Sequence, residues 1–146
     1  MALKVNGSNK YNFLIEKARE AEKNAYSPYS GFNVGAALLC KDGTVYSGCN
    51  IENIAYGPSN CAERTAIFKA VSEGQKEFVA IAITGNFDDP DAQKSEVFAS
   101  PCGTCRQVMA EFCNGDFLII LANLKGQVKE YRLKDLLPEA FNPFKE

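Results

Sequence analysis

Two short stretches hold the residues able to do chemistry, Asn60-Cys61-Ala62-Glu63-Arg64 and Pro101-Cys102-Gly103-Thr104-Cys105-Arg106. Between them lie three thiols, two in a Cys-x-x-Cys pair, and a carboxylate two residues after the lone thiol. Three thiolates suit Zn²⁺, and a protein that supplies only three ligands leaves the fourth position for water or substrate. A carboxylate beside that position moves protons. Both clusters open predicted helices, where free N–H groups and partial positive charge favour the thiolate. Cys102 and Cys105 are three apart, so both fall near the first helical turn on one side. Three thiolates on a divalent ion leave a charge of about minus one. Arg64 and Arg106 stand where they can donate hydrogen bonds to the sulfurs and offset it.

Glu63 has a competing structural reading. Asn60-Cys61-Ala62-Glu63 has the spacing of a capping box, in which Glu63 bonds back to the cap residue. The thiol two residues before it and the Cys-x-x-Cys downstream favour the catalytic role. The chain has six cysteines and no histidine. A transition-metal site must therefore use cysteine, and acid–base work falls to a carboxylate, thiol, tyrosine or lysine. Cys40, Cys49 and Cys113 sit among apolar neighbours or at strand ends and read as small core residues.

The elements that must position this chemistry follow from periodicity. Residues from about Asn9 to Ala25 predict a helix, with Ser8 or Asn9 as its cap. Tyr26-Ser27-Pro28-Tyr29-Ser30-Gly31-Phe32 breaks the chain, and Tyr29 and Phe32 read as wall residues. Val34–Leu39 and Thr44–Gly48 form a hairpin about Asp42-Gly43. Asn50 and Glu52 then share one face of an extended segment, where they suit vicinal hydroxyls or simply end a strand. A helix from Cys61 to about Glu73 ends at Gly74. Phe78–Thr84 is a buried strand, followed by an acidic loop with Asp88, Asp89 and Asp91. That loop reads as solvated rather than as a Ca²⁺ site. Ser100-Pro101 gives an N-cap and N1 proline for a helix from Cys102 to about Phe112. Phe117–Ala122 and Val128–Leu133 are strands, the second at an edge, and Lys134–Phe141 is a closing helix interrupted at Pro138. This order predicts an α/β fold of three α-β-α layers around a mixed five-stranded sheet, in one domain over residues 1–146.

Composition excludes several classes. Basic and acidic residues, 16 and 18 in number, are interspersed and give a net charge of −2, so no basic face offers a nucleic-acid footprint. No apolar run is long enough to span a bilayer. Met1-Ala2-Leu3-Lys4-Val5 lacks the apolar core of a signal peptide, which predicts a cytoplasmic protein, and Asn6-Gly7-Ser8 has no meaning as a sequon there. In that setting six cysteines point to metal binding or catalysis rather than disulfides.

A helix-start Pro-Cys-x-x-Cys paired with an upstream Cys-x-Glu is the pattern of zinc-dependent nucleobase deaminases. The sequence resembles the cytidine deaminase family in its small, homotetrameric, all-cysteine form. The likeness also covers Tyr26-Ser27-Pro28-Tyr29-Ser30, Phe32, Val34-Gly35-Ala36-Ala37-Leu38, Gly48-Cys49-Asn50-Ile51-Glu52-Asn53 and Leu136-Leu137-Pro138-Glu139-Ala140-Phe141. It implies one Zn²⁺ on Cys61, Cys102 and Cys105, with Glu63 as proton shuttle and Arg64 supporting the thiolates. It implies that Asn50 and Glu52 hold the ribose, Phe32 lines the pyrimidine pocket and the Ala62 backbone contacts the base. Tyr56 and Phe141 are implied to reach a neighbouring subunit's site. The reaction implied is hydrolytic deamination of cytidine and deoxycytidine to uridine and deoxyuridine plus ammonia, in pyrimidine salvage. The loop around Asp88 is longer than the resemblance leads one to expect.

Other readings have distinct marks. A structural zinc module needs a fourth ligand, which here must come from Cys40, Cys49 or Cys113. A redox protein would use Cys102 and Cys105 without metal or Glu63. A deaminase of the same fold acting on another aminopyrimidine, such as blasticidin S, has less use for the Asn50/Glu52 pair.

Overall fold

Strand residues in the computed structural model alternate between two apolar faces, and this alternation sets the layers. Residues 2–5, 10–89, 91 and 96–143 are described, the first four by their backbone. Ala36, Leu38 and Cys40 share one face with Ile81, Ile83, Ile119 and Leu121. Ala37 shares the other with Ala80, Ala82, Ile120 and Ala122. A period of two cannot place neighbours on one side, so the sheet needs cover on both.

The elements run β1 (Ala2–Val5), α1 (Asn12–Glu22), β2 (Phe32–Cys40), β3 (Val45–Cys49), α2 (Ala62–Ser72), β4 (Phe78–Phe87), α3 (Gly103–Phe112), β5 (Leu118–Ala122), β6 (Gln127–Arg132) and α4 (Leu133–Leu136). The sheet order is β1-β6-β5-β4-β2-β3. β4 and β5 are parallel, joined through α3, and the other pairs are antiparallel. Leu14, Ile15 and Ala18 of α1 cover one face. Ala66, Ile67 and Ala70 of α2 and Cys105, Met109 and Ala110 of α3 cover the other. The mixed sheet between helical layers is as the sequence predicts, and both cysteine-bearing helices lie on one face.

Three details differ from expectation. β1 pairs antiparallel with β6, from Ala2↔Glu130 to Val5↔Gln127, which adds a sixth strand and covers the expected edge. Four residues are too few for periodicity to reveal it. β4 continues past Thr84 to Phe87 because β2 pairs with it as far as Phe32↔Phe87. The closing helix is a single turn, Leu133–Leu136. Pro138 disfavours helix at the preceding residue, and Leu137 leaves it at φ −145°. The expected Ser8 or Asn9 cap of α1 lies outside the described residues, and the helix begins one residue after Tyr11.

The end of α2 follows its sequence signal. Gly74 has φ 92°. The Gln75 N–H donates to the Ala70 carbonyl at 2.9 Å and the Gly74 N–H to that of Val71 at 3.0 Å, a Schellman closure. Its start is fixed by close approach to β3, since a Cβ on Gly48 would lie 2.6 Å from the Ala66 nitrogen and 2.9 Å from the Ala62 oxygen. No side chain fits there without displacing α2. Gly48→Ala is expected to destabilise the fold by roughly 1–3 kcal/mol, read as a lower urea midpoint.

Candidate active site

Two helix starts converge on a cavity lined by the carboxyl end of β4 and the amino end of β2 beside it. Cys61 is the N-cap of α2 and Cys102 the N-cap of α3, both with extended backbones. The Cys102 Sγ accepts the Cys105 N–H at 3.4 Å, so the thiol itself caps the helix. Ser100 and Pro101, expected as cap and N1, instead lead into that cap. The Cys61 and Cys102 sulfurs are 3.8 Å apart, and those of Cys102 and Cys105 3.3 Å. All three lie within 4.8 Å of one another and form the one such cluster among the described residues. Zn–S bonds of about 2.3 Å in a tetrahedron put sulfurs roughly 3.8 Å apart, so the donor set fits Zn²⁺. No fourth protein ligand joins it among the described residues. Cys40 is buried in the core with Cys113 packed against the same cluster, as the sequence suggested for both.

The thiols do not share ionisation equally. A hydrogen bond from the Cys105 thiol, with Arg64 assisting, pushes Cys61 down to about 5. Cys105 is raised, first by that same bond and then by its burial. Arg64 Nη2 donates to the Cys61 sulfur at 3.2 Å, while its Nε is buried without a partner. Arg106 does not serve the sulfurs as expected. Its guanidinium donates to the Pro101 and Leu136 carbonyls at 2.8 Å and to Ser100 Oγ at 3.1 Å. It braces the turn that presents Cys102 against α4.

Glu63 sits at the second position of α2, 4% exposed, on the side that otherwise carries Ala62, Ala66 and Ile67. The capping-box reading fails, because Cys61 is the cap and the Asn60 amide donates to Thr65 Oγ1 at 3.2 Å. Burial pushes the Glu63 carboxyl up to about 7, and the negative charge on Cys61 adds to the shift. A carboxyl so placed exchanges its proton near neutral pH.

Cys61, Cys102, Ala62 and Glu63 line a cavity of about 560 Å³, shared with Phe32, Asn50, Glu52 and Tyr56. Asn50 bridges to β2, donating to the Phe32 carbonyl at 2.8 Å and accepting the Val34 N–H at 2.9 Å. Glu52 accepts the Tyr29 and Ser30 N–H groups at 3.0 and 3.1 Å and the Ser30 hydroxyl at 2.5 Å. Burial opposes ionisation of Glu52, but these bonds outweigh it and hold the carboxyl below its ordinary value. Both side chains thus face the cavity already fixed by the Tyr29–Val34 segment. Phe141 is not among the lining residues of its own chain. It is 76% exposed, with its backbone clasped by the Gln107 amide. Tyr56 stands at the rim, 89% exposed.

Sequence reasoning misses part of the wall. Phe87 packs on Phe32 with ring centroids 4.7 Å apart, a contact that a strand ending at Thr84 would hide. Val97 and Phe98 line the cavity from the far end of the acidic loop, and Lys129 Nζ lies 4.4 Å from the Phe98 ring centroid. Within that loop Asp88 accepts the Asn33 side-chain N–H at 2.6 Å, which ties it to β2. It belongs to no metal-ligating group among the described residues.

Residues 8–121 match the family model for the cytidine and deoxycytidylate deaminase zinc-binding region. A cytidine deaminase of Sporosarcina psychrophila is 54% identical over 129 residues, 88% of this chain and 89% of that protein. One from Halalkalibacterium halodurans is 52% identical over 128 residues, 88% of this chain and 91% of that protein. Among solved structures, cytidine deaminase from Burkholderia pseudomallei superposes with a TM-score of 0.80 at 46% identity, over 91% of this chain and all of that one. The zinc-binding family region and the three-sulfur cluster make one Zn²⁺ the cofactor. On the family match and these relatives, the chain belongs to the cytidine and deoxycytidylate deaminase family.

Proposed function

We propose that the chain converts cytidine and deoxycytidine to uridine and deoxyuridine by hydrolytic loss of ammonia. The observation that carries this reading is the Glu63 carboxyl, buried and so pushed up towards neutrality, beside three clustered sulfurs in an open cavity. Zn²⁺, when bound, supplies Lewis acidity that lowers the pKa of water. Glu63 takes a proton from water as oxygen adds at C4 and gives one to ring N3. It then takes the remaining proton from the hydroxyl on C4 and passes it to the exocyclic nitrogen, so that the C–N bond breaks, ammonia leaves and C4 keeps the oxygen as a carbonyl. A carboxyl poised near neutrality suits both directions of transfer.

The remaining roles rest on placement. Ala62 opens α2 in the cavity wall, where its backbone is near the base. Phe32 offers a ring face to the pyrimidine. Asn50 and Glu52 each retain hydrogen-bonding capacity beyond their bonds to the chain, which suits the ribose hydroxyls. Ile54, Tyr56 and Phe141 are 80%, 89% and 76% exposed, large apolar side chains left open to a neighbouring subunit. This supports a homotetramer in which Tyr56 and Phe141 complete neighbouring sites. Residues 1–146 then act as one deaminase domain on a small nucleoside in the cytoplasm. No helix among the described residues is long and apolar enough to cross a membrane.

Incubation with cytidine, deoxycytidine, cytosine and blasticidin S, following ammonia release with zinc measured on the same sample, tests the reading. Release from the two pyrimidine nucleosides is expected. Release from blasticidin S alone would replace the substrate, and none from any would end the deaminase reading. Asn50→Ala and Glu52→Ala are each expected to raise KM for cytidine by about 10-fold or more, the scale set by lost substrate hydrogen bonds. Unchanged KM in both would remove the sugar-binding assignment.

A further inference from the structure

Three glycines in the sheet are closely approached, and their neighbours differ in kind. A Cβ on Gly35 would meet the Ala18 oxygen at 1.9 Å and the Glu22 nitrogen at 2.6 Å, and one on Gly48 would meet the α2 backbone. These two let helices lie on strands. A Cβ on Gly85 would instead meet the Phe32 Cζ at 2.7 Å and the Ala99 Cβ at 2.8 Å. Gly85 is on the cavity side of β4, two residues from both Ile83 and Phe87, which line the cavity with Phe32. Its φ is not positive, so the backbone itself accepts a side chain. The missing Cβ is therefore a space occupied by the tip of the Phe32 ring.

We infer that Gly85 is a positioning residue for substrate binding, a notch in the sheet that lets Phe32 recline and so sets the room left for the pyrimidine ring. The inference rests on the deaminase reading and on Phe32 as the ring-facing wall. Phe87 packs against Phe32 with a centroid separation of 4.7 Å and an interplanar angle of 50°. The ring is thus held by Phe87 on one side and rests over Gly85. A methyl at Gly85 pushes the ring off the sheet, toward the cavity it lines. The notch also receives Ala99, which precedes the Ser100-Pro101-Cys102 turn, so the test must separate the ring from that turn.

Kinetics with cytidine, calorimetric binding of the product uridine and zinc content are measured on the wild type, Gly85→Ala, Gly85→Ala/Ala99→Gly, Phe32→Leu and Gly85→Ala/Phe32→Leu. Gly85→Ala is expected to raise cytidine KM and uridine Kd by about 10-fold, the scale of one methylene in a tight pocket. Its kcat is expected to stay within about threefold of wild type, with full zinc, because ground-state and transition-state binding weaken together. The KM effect is expected to persist when Ala99→Gly relieves the second contact. In the Phe32→Leu background the same change is expected to shift KM by less than about twofold, since leucine lacks the clashing ring atoms. A Gly85→Ala protein that folds only when joined to Phe32→Leu supports the same coupling. Wild-type KM and Kd in Gly85→Ala overturn the inference. So do equal losses in both Phe32 and Phe32→Leu backgrounds, or failure of both to fold. Wild-type protein that releases no ammonia from cytidine ends the deaminase reading and the inference with it. Normal wild-type turnover beside an unaffected Gly85→Ala ends the inference alone.

Discussion

Glu63→Gln is expected to lower kcat for cytidine by about 10³-fold while zinc content and fold persist. Glutamine keeps the shape of the side chain, and at a position 4% exposed a neutral amide costs less than an ionised carboxylate. What it removes is the group that, in the proposed mechanism, takes a proton from water and returns one to the ring. Substrate affinity is expected to change far less than turnover, because the transferred proton matters in the transition state. Full turnover in the Glu63→Gln variant would make Glu63 a buried structural acid.

The same variant carries a stability signature in zinc-free protein. The Glu63 carboxyl is raised from its ordinary 4.5 to about 7, mainly by burial. The folded chain then binds more protons than the unfolded one between those values, and stability falls as pH rises. The contribution is fully present below about 4.5 and is lost through about pH 7, an effect of about 3 kcal/mol. Glu63→Gln abolishes that titration. Zinc-free Glu63→Gln is expected to gain on wild type in Tm between pH 5 and 8. Parallel Tm profiles would show that burial of the carboxyl carries no cost.

Much of the fold is legible in the sequence because its signals are local. Asp42-Gly43, the apolar spacing of Leu14, Ile15, Ala18 and Ala21, and Gly74 each act within a few residues. The zinc site is legible because cysteine beside a helix start has few uses in a chain without histidine. What escapes is set by pairing across the sheet. Phe87 joins the cavity wall because β2 extends β4 through Gly85 and Asn86, which read in the sequence as the start of the acidic loop. β1 exists because β6 offers it an edge. Arg106 stands one residue from Cys105 yet turns to the Leu136 carbonyl, a partner thirty residues away. Asn50 reads as a free amide in the sequence, but its bonds to Phe32 and Val34 arise only once β2 lies beside it.

Cys105→Ser is expected to abolish both zinc retention and turnover. Cys105 is fully buried in the first turn of α3, its sulfur 3.3 Å from that of Cys102. A serine hydroxyl is a poor Zn²⁺ ligand beside two thiolates and stays protonated near neutral pH. After dialysis against a mild chelator, zinc is expected to fall from about one per chain to less than about a tenth, with kcat/KM down at least about 10³-fold. Metal that binds the folded chain alone raises Tm by mass action, so added zinc should raise wild-type Tm and leave the variant unmoved. Cys113→Ala is the matched control. Its thiol packs against the same core cluster but lies outside the sulfur group, so zinc and turnover should survive. Stoichiometric zinc in Cys105→Ser would mean that two sulfurs and some other ligand hold the ion. The open coordination position that hydrolysis needs would then have to be sought elsewhere.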